Sequence, residues 1–506
     1  MLTLARLALG VAVLWATATL LPVAAPATPH RQLLIIVDGL RPDYVTADVM
    51  PTVTAIEQRG VVFTRHHSVY PTVTRVNASS ISTGSYPETH GLLGNTVFFP
   101  RVDAAKFLDT GERANLLNIT QAEGRLLTAQ TLGEMLQQAN KRLLVVSSGS
   151  TGSAFLNNHT VAGGAILHFQ YALPERLAED MKALGPPPAD DSSGALDRYA
   201  VDAFLKVGMP RVDPTITIMW LGDLDGAAHS KGIGGPDTIA TLRQVDANIK
   251  RVEDGLRAAG VLDDYSIWIS SDHGFSTYTG GVDLTALLSP FAHPRPDGSP
   301  AIVTSGGAIY VRDQPEKTVP AIVDKLQRTA GVGAIFTRAK SAGAFEGYLP
   351  GTLSFDAIRW THPRSAQILF SPDWTDRKNT HGWPGTTASS GTAGHGSSSP
   401  FDIHNTLIAA GPDLKRGIRI DLPSGNVDFA PTFLSLLGLP IPSSIQGRVL
   451  HEALAGGPSP TTARVRSTDV HTSAPEAGYA LTGTFSTVDS GGKNYRYFDR
   501  TVVTRR

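Results

Sequence analysis

Short apolar runs rich in β-branched residues alternate along this chain with stretches in which apolar residues recur every three or four positions. That alternation predicts an α/β fold, a mostly parallel central sheet with helices on both faces. The runs at 32–37, 142–147, 215–221, 266–270 and 406–410 read as strands. The clearest helix is predicted over 236–259, where Ile239, Leu242, Val245, Ile249, Val252 and Leu256 form one stripe after the Gly234-Gly235-Pro236 start signal. Another is predicted near 427–437, beginning around Asp428 and stopped by Gly438-Leu439-Pro440. Between 276 and 400 the pattern is less regular, with strand-like 301–311 and 366–370 and a helix near 319–329, as expected for an inserted cap. Residues 376–399 are crowded with Gly, Ser and Thr and read as a long loop. After Glu452 a Pro/Gly/Ser-rich linker leads to a hairpin expected over 479–504, turning at Asp489-Ser490-Gly491-Gly492.

With 506 residues the chain can bury a large core, and the expected plan is a catalytic domain over 28–452 followed by an extension over 453–506. A formal net charge of -1 with 18% charged residues points away from nucleic-acid polymers and anionic membranes as partners. Residues 1–27 read as a secretory signal peptide. Arg6 supplies the positive start, 7–21 the apolar run, and Val23-Ala24-Ala25 or Ala25-Pro26-Ala27 the small-residue cleavage site. The apolar run is shorter than the ~20 residues of a membrane span, so export is expected, to the periplasm or the medium, with no span in the mature chain. The absence of cysteine excludes disulfides, thiolate nucleophiles and thiolate metal ligands.

Chemistry concentrates where predicted strands end. Asp38-Gly39, Asp225 with His229, and Asp272-His273-Gly274 all lie there, and ligands of open α/β sheets bind beyond the carboxyl ends of the strands. Carboxylate oxygens with neutral imidazoles suit zinc and leave positions open for a substrate oxygen. Asp225 and His229 meet on one turn of helix, whereas the adjacent Asp272 and His273 share an ion only if the backbone turns, which Gly274 permits. Each motif alone is also compatible with a capping Asp or a solvated His. The segment Tyr70-Pro71-Thr72-Val73-Thr74-Arg75-Val76-Asn77 leads into a helix-compatible run, so Thr72 or Thr74 is a candidate nucleophile if a divalent ion makes its alkoxide accessible.

The ordered set Asp38-Gly39, Tyr70 to Thr74, Thr83-Gly84, Tyr86 to Gly91 through Asn95, Asp225 with His229, Ser271 to Gly274 and His395-Gly396 resembles the nucleotide pyrophosphatase/phosphodiesterase branch of the alkaline phosphatase superfamily. The resemblance spans roughly residues 32 to 450 and implies an alkaline-phosphatase-like three-layer sandwich. It implies Thr74 as nucleophile, Asn95 as oxyanion donor and substrate contact, and two divalent ions, zinc in this family. One ion is then held by Asp225, His229 and His395, the other by Asp38, Asp272, His273 and the Thr74 oxygen. His381 and His404 flank the same region, but the His-Gly context and the following strand favour His395. Val427 to Thr432 and Gln446-Gly447-Arg448 resemble the superfamily's final helix and turn.

The implied activity is hydrolysis of a small-molecule phosphodiester or nucleotide through a threonyl-phosphate. Relatives that cleave nucleotides follow the nucleophile with Phe-Pro-Asn, whereas this chain has Arg75-Val76-Asn77, which puts base stacking in doubt. Arg75 is either a clamp for further phosphate oxygens or a solvated first-turn residue. Phe98 and Phe99 follow Asn95 but read as core. The alternatives are a phosphonoacetate hydrolase or phosphomonoesterase of the same superfamily and, remotely, a non-catalytic exported binding protein. A sulfatase is disfavoured, since the chain lacks both cysteine and a Ser-x-Pro-x-Arg run.

Overall fold

The computed structural model describes residues 29–189 and 194–506; the expected signal peptide lies outside the described residues. The central sheet contains β1 (Arg31–Val37), β2 (Val61–His67), β3 (Leu143–Ser147), β4 (Ala165–His168), β5 (Tyr171–Leu173), β6 (Ile216–Leu221), β7 (Tyr265–Ser270), β8 (His404–Ala410) and β9 (Ile418–Ile420), in the spatial order β9-β2-β8-β7-β1-β6-β3-β4-β5. A short tenth strand, β10 (Ser424–Gly425), pairs with β2. β1 pairs in parallel with both β6 and β7, while β8 runs antiparallel to its neighbours. β3, β6 and β7 are buried along their whole length, as expected of strands covered on both faces.

Alternation along β1 feeds two cores. Leu33, Ile35 and Val37 pack with Leu242, Val245, Ile249 and Leu256 of one covering helix, and Leu34 and Ile36 face the side that carries Ile81, Phe429 and Phe433. The helices that matter for the site are α1 (Thr74–Thr83), α2 (Asp223–Lys231), α3 (Pro236–Ala258) and α4 (Phe429–Leu436). The stripe read for 236–259 is the buried face of α3. The architecture is the alkaline-phosphatase-like three-layer sandwich.

Four segments differ from expectation, three before the C-terminal sheet and one within it. β2 carried no sequence reading, because its polar end, Thr64 to His67, hides the period; His66 and His67 are nevertheless buried. The strand-like 301–311 is a hairpin, Ile302–Ser305 with Ala308–Val311, turning at Gly306-Gly307 where both φ angles are positive. The expected loop over 376–399 instead supplies Trp374–Lys378, Pro384–Thr387 and Ala393–Gly394 to a four-stranded sheet with Ser276–Tyr278. Its strands are too short and glycine-rich to show a period of two.

The C-terminal hairpin Tyr479–Ser490 and Lys493–Arg505 gains a third strand, Val465–Ala474, from the stretch read as linker. This sheet packs on the inserted region through Tyr479, Leu481, Phe485 and Phe498. Near the final helix, buried Arg448 makes bidentate contacts of 2.9 and 2.7 Å to Glu452 and bonds the Pro423 carbonyl at 2.7 Å. Among the described residues no helix is long and apolar enough to cross a membrane.

Candidate active site

The ends of β1, β6 and β7 lie side by side, with Val37 opposite Leu221 and Ile36 opposite Ser270. This register brings Asp38, the start of α2 and Asp272 to one level. Asp38 precedes Gly39, whose φ of 75° turns the chain away from the sheet. After β7 the backbone bends at Gly274, where an added Cβ would lie 2.0 Å from the Phe401 carbonyl oxygen; only glycine fits. The bend buries Asp272 and His273 together, with His273 Nε2 3.0 Å from Asp272 Oδ2 and 3.3 Å from Asp38 Oδ1. On α2, His229 Nε2 lies 3.3 Å from Asp225 Oδ1, and His395 of the inserted region brings its Nε2 to 3.6 Å from the same oxygen. The His273 and His395 rings stack with centroids 3.4 Å apart.

The residues therefore form two contiguous groups, Asp38 with Asp272 and His273, and Asp225 with His229 and His395, each with its ligand atoms within 4.8 Å of one another. All three histidines are oriented alike. Nδ1 of His229, His273 and His395 meets the carbonyl of Ala393, Gly274 and Thr72 at 2.9, 3.0 and 2.8 Å. A carbonyl only accepts, so Nδ1 carries a proton and Nε2 is the nitrogen turned toward the carboxylates, the orientation found in metal-binding histidines.

Each aspartate keeps one buried oxygen without a hydrogen bond: Asp38 Oδ1, Asp225 Oδ1 and Asp272 Oδ2. Their second oxygens are not all so bare, since Asp38 Oδ2 accepts from Trp220 Nε1 at 2.9 Å and Asp272 Oδ1 from the Gly39 amide at 3.2 Å. Three buried carboxylates this close together are costly unless cations lie between them. The donor set thus fits two divalent ions of borderline hardness.

Titration reflects the same crowding. Burial and the neighbouring charges of Asp272 and Asp225 push the Asp38 carboxyl well above its ordinary range. Burial works against a charged His273, but Asp272, Asp38 and Asp225 outweigh it and raise the imidazole to about 9. Burial and the adjacent His273 hold His395 well below its ordinary value.

Thr74 is the first residue of α1, with extended Val73 as the cap, so its hydroxyl stands at the helix N-terminus rather than capping it. Its Oγ1 lies 3.2 Å from His273 Nε2. Thr72 is placed differently. Its hydroxyl donates to the Ser397 carbonyl at 2.9 Å and accepts from the Gly396 amide at 3.1 Å, so it braces the loop that carries His395. Asn95 Oδ1 accepts from the Arg75 amide at 2.9 Å, fixing the side chain beside the first turn of α1 and leaving its Nδ2 protons as donors. The Arg75 guanidinium pairs with Asp109 at 3.3 Å.

Of the two histidines flanking His395 in sequence, His381 is exposed, and His404 lies beside His67. Phe98 and Phe99 are buried in two separate cores. Supporting residues without a sequence signal complete the site. Asn77 ties the Val69 amide and carbonyl at 2.8 and 3.1 Å, and Asn426 bridges Asn77 Oδ1 and the Asp272 carbonyl, both at 2.9 Å. Trp220, near the end of β6, was legible only as an apolar strand residue.

A sequence model described as type I phosphodiesterase / nucleotide pyrophosphatase matches residues 32–394. Human ectonucleotide pyrophosphatase/phosphodiesterase family member 1 is 23% identical over 405 residues, covering 77% of this chain and 38% of that protein. A bis(5'-adenosyl)-triphosphatase of Mus musculus is 23% identical over 415 residues, covering 81% of this chain and 78% of that one. The chain spans about two fifths of the family-member-1 relatives it matches, 38% of the human and 41% of the rat and mouse proteins. Among solved structures, an inactive murine ectonucleotide pyrophosphatase/phosphodiesterase 5 in complex with AMP aligns with a TM-score of 0.60 at 16% identity, over 84% of this chain and 100% of that one. A mutant of alkaline phosphatase PafA aligns with a TM-score of 0.66 at 16% identity, over 85% of this chain and 100% of that one. The chain belongs to the type I phosphodiesterase / nucleotide pyrophosphatase family.

Proposed function

We propose that this protein is an exported two-zinc hydrolase that cleaves phosphodiester or pyrophosphate bonds through a threonyl-phosphate. One observation carries the reading. A threonine hydroxyl at a helix N-terminus lies against two groups of aspartate and histidine whose carboxylates retain buried, unbonded oxygens.

Asp225, His229 and His395 would hold one ion, and Asp38, Asp272 and His273, with the Thr74 oxygen, the other. Bound there, the ions supply Lewis-acid polarisation of the phosphoryl group and ease ionisation of an alcohol and of water. The chain's own residues do the rest. Thr74 Oγ1 gives its proton to solvent and attacks phosphorus, the bond from phosphorus to the leaving oxygen breaks, and that oxygen takes up a proton from water to depart as an alcohol or phosphate. Water then cleaves the threonyl-phosphate and restores the hydroxyl. The α1 amides favour negative charge at this position. The Asn95 Nδ2 group would donate to a non-bridging oxygen, a contribution of about 3 kcal/mol.

The test loads the purified chain with zinc, counts metal by elemental analysis, and compares bis-p-nitrophenyl phosphate, p-nitrophenyl phosphate and phosphonoacetate. Two ions per chain and the highest kcat/KM on the diester are expected. Preference for the monoester or for phosphonoacetate would move the assignment to those superfamily activities, and metal binding without turnover would leave a binding protein.

A further inference from the structure

A cavity of about 310 Å³ opens beside the metal-binding groups and takes no part in the chemistry described above. Val73, next to the nucleophile, and His395 line it together with Val282, Leu284, Phe370 and Ala388, and Ser389 and Ser390 add hydroxyls. Val282, Leu284, Phe370 and Ala388 come, like His395, from the region between 276 and 400, so this region supplies both a residue of the reacting centre and much of the surface beside it. Among the described residues no Asp, Glu, Lys or Arg lines the cavity, and Phe370 is its one carbocyclic aromatic side chain. The Gly306-Gly307 turn keeps the space open. Both residues have positive φ, and a Cβ on Gly307 would lie 2.5 Å from the Phe370 carbonyl oxygen. The volume falls in the lower range of small-molecule pockets, enough for an aryl or branched alkyl group.

These observations exclude two kinds of occupant. A second phosphate placed here would meet no Lys or Arg of the lining, and a nucleobase would lack a pair of aromatic faces. An uncharged hydrocarbon group would lose water contact where it meets the apolar lining and would bury no charge. We infer that this cavity is the subsite for one ester group of the substrate, and that the substrate class is a singly charged phosphodiester carrying an uncharged, mainly apolar aryl or alkyl group. The assignment rests on the phosphodiesterase reading and narrows it.

The test separates the pocket from the chemistry. Zinc-loaded Thr74→Ala, in which turnover is silenced, is titrated calorimetrically with dimethyl phosphate, diphenyl phosphate and adenosine 5'-(methyl phosphate). Diphenyl phosphate is expected to bind roughly 10- to 100-fold more tightly than dimethyl phosphate, the gain from burying one phenyl ring. Adding Ala388→Phe, or Val282→Phe should the first variant fail to fold, reduces that ratio to below about 3-fold and leaves dimethyl phosphate affinity nearly unchanged. Equal binding of the two diesters, a preference that survives the filled pocket, or a larger gain for the adenosine ester would each overturn the subsite. Failure of the zinc-loaded parent enzyme to hydrolyse any diester would instead overturn the catalytic reading, while calorimetry still decides the pocket.

Discussion

Among the described residues three groups of histidine and aspartate meet the same proximity criterion, ligand atoms within 4.8 Å, and the two in the active site differ from the third. At the seam between the central sheet and the C-terminal sheet, His67 of β2, His404 of β8 and Asp499 come together. There, Asp499 Oδ1 meets His67 Nε2 at 2.8 Å, Oδ2 accepts from the Ser486 hydroxyl at 2.7 Å, and Arg65 lies 3.8 Å from the same carboxylate. His67 Nδ1 meets the Ser424 carbonyl at 2.8 Å. Both carboxylate oxygens are used, and a cation already stands beside them. In the active site, by contrast, three aspartates each hold a buried oxygen with no hydrogen bond, facing histidine Nε2 atoms at 3.0 to 3.6 Å. Proximity of ligand types therefore does not define a metal site. What sets the active site apart is the two together, crowded carboxylates and buried oxygens left without a hydrogen bond, because a satisfied ion pair ties two surfaces together whereas crowded, unsatisfied carboxylates call for a further positive charge.

The largest expected effect sharpens the catalytic half of this contrast. Thr74→Ala should lower kcat by at least about 10³-fold with both metals retained, read by diester turnover alongside elemental analysis. Undiminished turnover would sink the assignment of the nucleophile. The next tests which cluster holds metal. His395→Asn should weaken one of the two ions in a zinc titration, whereas His67→Gln should leave two ions bound at parental affinity. Loss of an ion from the His67 variant would erase the distinction between the clusters. The smallest effect concerns the tie itself. Asp499→Asn should cost about 1–3 kcal/mol in urea unfolding at neutral pH with metal content unchanged. Burial opposes ionisation of Asp499, but the bond and charge of His67, with the Ser486 hydroxyl, outweigh it and hold the carboxyl below its ordinary value. A depressed folded pKa gives stability that is present above the unfolded value near 4 and is lost as pH falls through the folded value, so the gap between parent and variant should close on acidification. A gap that widens as pH falls would refute the ion-pair role.

What the chain's pattern showed and what it hid follow from one difference of scale. Uninterrupted apolar runs and the stripe on α3 were readable because burial of a whole strand or helix face is written in consecutive residues. β2 was not, since its polar end is buried by partners more than 300 residues away, such as Ser424 and Asn426 for His66. The third strand at Val465–Ala474 escaped notice because most of its side chains are exposed and leave no alternation.

By itself the sequence determined the strand and helix succession, the residue types capable of holding two ions, and, through motif order, the superfamily they resemble. Tertiary structure alone decided that Thr72 braces the His395 loop while Thr74 faces His273, that His404 joins another cluster, and that an uncharged cavity opens beside the reacting centre. The reason is physical. Local pattern records whether a side chain prefers water, but an unpaired oxygen or an empty space exists only once every neighbouring segment has taken its place.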